Sequence, residues 1–86
     1  MALDLAELDR LFADLLTHQE RRVRAVARRI VPEVTLDDLL CPDDVPALKA
    51  SPEFLYEDGV LAGLLAAHTA VRAAARRAAD DDGPTS

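Results

Sequence analysis

The chain has 86 residues, a formal net charge of −6 and one cysteine; half of its residues are apolar, yet only 3% are aromatic. That length allows one domain with a small core, for which oligomerisation is a common support. The acidity argues against general nucleic-acid binding, which draws its affinity from neutralised phosphates, and the lone Cys41 excludes both an internal disulfide and a cysteine-based zinc site within one chain.

The apolar mass is alanine, leucine and valine, which favours helices over sheets and predicts an all-α fold. From Asp4 to about Val31 there is no glycine or proline, and Leu5, Leu8, Phe12, Leu15, Val23, Val26 and Ile30 recur at three- and four-residue steps. This is the helical period. Asp4 and Glu7 resemble a capping pair, and Pro32 ends the helix because the residue before a proline avoids the α region. The first helix is therefore expected over 4–31.

A connection follows over 32–51, too rich in proline for one helix and too apolar for a disordered linker. Thr35 with Asp38 predicts a capped short helix from Leu36 to Leu40, and Asp43 or Asp44 is the candidate cap for a turn at Pro46–Lys49. Leu36, Leu39, Leu40, Val45 and Leu48 are expected to fold back over one end of the long helices. Cys41 reads as a small buried hydrophobe, and "LDDLL" has a second reading as an acidic-apolar docking motif.

"SPEF" opens the second long helix, with Ser51 as N-cap and Pro52 at the first helical position. It is expected over 52–79. The acidic segment 81–86, "DDGPTS", is expected to be a disordered tail.

The two long helices carry the same charge gradient along the chain, acids first and arginines after. An antiparallel hairpin sets unlike charges together, whereas a parallel pair would set like against like. With residues summing to about 85 at one height, the expected partners are Glu7 with Arg77, Asp9 with Arg76, Asp14 with Arg72, and Arg28 and Arg29 with Glu57 and Asp58. Phe12 would lie over Ala74 and Ala75, and Ile30 against Phe54.

Gly59, Gly63 and Ala67 form a stripe of small residues, and Leu11, Leu16, Leu64 and Val71 exceed what one seam can bury. This predicts self-association, with two hairpins forming a dimeric four-helix bundle. The functional expectation is a non-catalytic assembly, adaptor or regulatory module without cofactor, with a partner surface at Phe54, Tyr56 and the connection. The N-terminal "MALDLAEL" lacks a signal pattern and no apolar run is long enough for a membrane span, so the default location is the cytoplasm.

Two alternatives come from other classes. His18 and His68 share a height in this register and Asp14 lies one turn before His18, a candidate metal set. The two-helix length resembles that of ferritin-like proteins that assemble from hairpins, but their Glu-x-x-His motif is missing, since Leu15 and Leu65 stand three residues before the histidines. Arg21, Arg24 and Arg28 share a face that could bind anions or nucleic acid, although no aromatic residue is there to stack on bases. No phosphate loop, catalytic triad order or dinucleotide fingerprint is present.

Overall fold

The computed structural model describes residues 4–81. Within them the chain is all-helical: α1 (Leu5–Ile30), α2 (Leu36–Leu40), a 3-10 turn (Pro42–Asp44), α3 (Pro46–Lys49) and α4 (Pro52–Asp81). α4 continues through Asp80 to Asp81, two residues past the expected end; the rest of the expected acidic tail, 82–86, lies outside the described residues.

The local signals act as their chemistry dictates. The Asp4 carboxylate accepts from the Glu7 backbone N–H at 2.7 Å and closes the start of α1. Its last turn ends at Ile30, with the Val31 N–H on the Ala27 carbonyl. Thr35 and Asp38 form a reciprocal capping box: the Thr35 hydroxyl accepts from the Asp38 N–H at 3.1 Å, and the Asp38 carboxylate accepts from the Thr35 N–H at 3.0 Å. Such a cap contributes about 1 kcal/mol and, with Leu39 packed on the core, holds a five-residue helix that would not form alone. The Ser51 hydroxyl accepts from the Phe54 N–H at 3.1 Å at the start of α4. The expected cap of α3 by Asp43 or Asp44 is not made. Val45 holds that position without a side-chain bond, and Pro46 begins the turn, needing no donor partner.

α1 and α4 lie against each other along their length. Asp9 of α1 reaches Arg72 of α4 and Arg29 reaches Glu53, so the two helices run in opposite senses. Their register differs from the expected one. Phe12 stacks on His68, Arg22 meets Glu57 and Arg29 meets Glu53, so residues summing to about 80 are level. Exposed charges set the expected register, but such pairs are worth only about 0.2–1 kcal/mol each. Polar groups inside the contact must find partners and decide more strongly.

That contact is a heptad seam. Asp9, Phe12, Leu16, Gln19, Val23, Val26 and Ile30 in α1, and Phe54, Glu57, Leu61, Leu64, His68, Val71 and Ala75 in α4, alternate three- and four-residue steps, and all are buried or half-buried. Two antiparallel rods joined this way hold apolar layers interrupted by polar ones.

The dense core sits at the connection end. Val23, Val26, Ala27, Leu48 and Phe54 are buried, with Ile30, Val31, Val34, Leu39, Val45 and Leu61 packed around them. Leu48, on α3, and Phe54, on the first turn of α4, are fully enclosed. The connection therefore covers this end, but not with all the residues expected. Leu39, Val45 and Leu48 pack inward; Leu36 and Leu40 are 64% and 78% exposed. A single helical turn directs only one side inward, and Leu36 and Leu40, four apart, share the other. Cys41, following Leu40, is exposed and not buried as expected.

Candidate interaction surface

Two polar layers interrupt the seam. In the first, Gln19 Nε2 donates to the Glu57 backbone carbonyl at 2.9 Å and to its carboxylate at 3.3 Å, while Arg22 Nε donates to the other carboxylate oxygen at 3.0 Å. Glu57 is almost enclosed, yet its carboxyl is held below the usual range, first by the Arg22 hydrogen bond and then by Gln19. In the second, one oxygen of Asp9 accepts from Arg72 Nε at 2.9 Å and lies 2.7 Å from His68 Nε2. Arg72, and then His68, lower the Asp9 carboxyl to about 2. The His68 ring lies parallel to Phe12 with centroids 5.3 Å apart.

These layers are fully engaged with one another. No buried side-chain nitrogen or oxygen among the described residues lacks a partner. Their chemical role is to fix register, because sliding α4 by one turn would strand Glu57 and Asp9 away from their donors. The Asp9–His68 pair resembles the orienting half of a base–nucleophile arrangement, but catalysis would need a nucleophile within hydrogen-bond reach. Cys41 lies at the connection end, whereas His68 is level with Phe12.

The residues singled out in the sequence fall as follows. Asp14 and His18 are exposed on α1, while His68 turns into the seam to Asp9, so the expected Asp14–His18–His68 set is not brought together; among the described residues no group of three or more His, Cys, Asp or Glu could hold a metal ion. The register shift is the reason: His68 is level with Phe12, about a turn and a half from His18. Arg21, Arg24 and Arg28 are exposed, with Arg24 3.9 Å from Glu20. Phe54, expected on a partner surface, is instead wholly buried as a seam residue; Tyr56 is 70% exposed.

Of the expected interface residues, Leu16, Leu64 and Val71 are half-buried in the seam, while Leu11, Gly59, Gly63 and Ala67 are exposed. A Cβ added at Gly59 or Gly63 would meet no atom within 4 Å, so neither glycine serves close approach within the chain.

Helical geometry sorts the residues beside the seam onto two flanks. Residues one before a seam position form one flank: Leu8, Leu11 and Leu15 on α1, beside Gly63, Ala67 and Ala74 on α4. This flank carries large apolar side chains on one helix, small ones on the other, and no charge over that stretch. Residues one after a seam position form the other, where Glu20, Arg24 and Asp58 border an open groove of about 440 Å³ walled by Val23, Leu61 and the leucines of α2. No helix among the described residues is long and apolar enough to cross a membrane.

Comparison with protein-family models, curated proteins and solved structures finds no match to this chain.

Proposed function

We propose that the protein is a non-catalytic helical module that works as a homodimer: two α1–α4 hairpins joined through the leucine-and-alanine flank into a four-helix bundle, serving as an assembly, adaptor or regulatory unit in the cytoplasm. The observation that carries this reading is the uncharged flank, where Leu11 and Leu15 remain 47% and 41% exposed beside a row of glycine and alanine. A two-fold axis would seat the leucine row of each copy on the small row of the other, large against small on both sides at once.

Area supports the same reading. The chain exposes 6372 Å², against roughly 5,000 Å² for a compact monomer of its 9.3 kDa mass. The excess, roughly 1,400 Å², is more than the ~800 Å² that a standard interface removes from each partner. The radius of gyration, 17.3 Å, exceeds the roughly 12 Å of a compact domain of this length.

Sedimentation equilibrium at tens of micromolar tests the proposal. The expected mass is twice the 9.3 kDa of the chain. A single-chain mass at every concentration up to that range would overturn it.

A further inference from the structure

α2 displays more apolar surface than the fold uses. Its Leu39 packs on the core, but Leu36 and Leu40 stand on one face and form a wall of the groove between α1 and α4. Val23 and Leu61 form the floor of that groove. The Thr35–Asp38 capping box holds α2 as a folded turn, so the wall exists before anything binds.

The border of the groove is acidic. Glu20 and Asp58 line it; its one base, Arg24, sits beside Glu20. Asp58 has no ion-pair partner among the described residues. α2 contributes only its leucines to the lining, the Asp38 carboxylate being held by the Thr35 N–H. A leucine-walled channel with carboxylates along its edges suits an amphipathic helix that offers apolar residues at three- and four-residue spacing, flanked by lysine or arginine. The chain's own "DDDGPTS" segment has the wrong sign and no leucine to offer. The groove also lies on the flank opposite the leucine-and-alanine face, so filling one leaves the other free.

We propose that the groove bounded by α2, Val23 and Leu61 is a docking site for a short basic amphipathic helix of a partner protein. This inference does not rest on the dimer. The apolar face of the incoming helix covers Leu36 and Leu40, and its bases meet Asp58 and Glu20.

Fluorescence anisotropy of the full chain tests this with a labelled peptide of about 16 residues, long enough for four helical turns, carrying leucines on one face and lysines beside them. A second peptide replaces the lysines by glutamate. The basic peptide is expected to bind and the acidic one to fail. L36S/L40S and Asp58→Lys are each expected to weaken binding at least about tenfold, a loss near 1.4 kcal/mol. These side chains are exposed or half-buried, so the variants should keep wild-type helicity by circular dichroism. Equal binding of both peptides, or wild-type affinity in both variants, overturns the proposal. Sedimentation of L36S/L40S separates the two readings. A mass that falls from dimer to monomer means a second copy fills the groove and overturns the docking site. A monomeric wild type that still binds the basic peptide overturns only the dimer.

Discussion

Gly59 and Gly63 stand one turn apart on α4 and face different ways. Both are exposed and helical, and a methyl group at either would meet nothing within 4 Å. Gly59 is two residues from the seam positions Glu57 and Leu61, and so faces directly away from α1. Gly63 immediately precedes Leu64 and belongs to the flank assigned to the second copy. Replacing Gly59 with alanine removes the backbone entropy cost of glycine without a steric penalty and should gain about 0.5–1 kcal/mol. For a domain of this size that is roughly 4 °C in melting temperature, read by circular dichroism at matched protein concentration. Gly63→Leu gains a similar propensity within one chain but fills the groove between copies. It should lower the dissociation temperature at fixed concentration and shift the mass toward monomer, with far-ultraviolet helicity retained. Two results would refute the reasoning: a lower melting temperature for Gly59→Ala, or a Gly63→Leu protein as dimeric as the wild type.

Further expectations concern the core and the polar layers. Phe54→Ala removes a fully enclosed ring and should cost about 3–5 kcal/mol, a large share of a small domain's stability, in urea denaturation. Glu57→Ala leaves the Gln19 amide with only the backbone carbonyl of residue 57 and Arg22 with no carboxylate, and should cost about 1–3 kcal/mol, whereas Gln19→Leu combined with Glu57→Leu should recover most of that loss at the expense of a defined register. The Asp9 and Glu57 carboxyls are both depressed in the folded protein, so their stabilisation is complete above their unfolded values, 3.8 and 4.5, and is lost as pH falls, for Asp9 down to about 2. Denaturation midpoints between pH 2 and 5 should therefore rise with pH, and Asp9→Asn should flatten the lower part of that rise. Thr35→Ala should loosen α2 and speed amide exchange at Leu39 and Leu40, with a stability loss near 1 kcal/mol.

Local chemistry was readable in the chain where a short-range interaction settled it. The Asp4, Thr35–Asp38 and Ser51 caps and the stop before Pro32 involve neighbours a few residues apart, and each forms as its residue types require. The opposed sense of α1 and α4 also followed from charge, because a gradient survives a shift of register. The register itself did not. Pairing by exposed charge set Asp14 with Arg72 and Asp9 with Arg76, while the seam was decided by Gln19, Glu57, Asp9 and His68, polar residues inside the contact. Extending the three-and-four spacing through those residues, without skipping them, would have exposed both polar layers and removed the His18–His68 pairing. The outward turn of Leu36 and Leu40 was not legible, since a turn of helix can face either way until the core around Leu48 is built.

The most direct trial of the dimer is sedimentation velocity of L11D/L15D beside the wild type, with helicity recorded on the same samples. Carboxylates at these exposed positions can stay solvated in the single chain, but would be buried without partners between two copies. The account predicts a helical protein of single-chain mass in place of a dimer. A variant that sediments as the wild type does would contradict it.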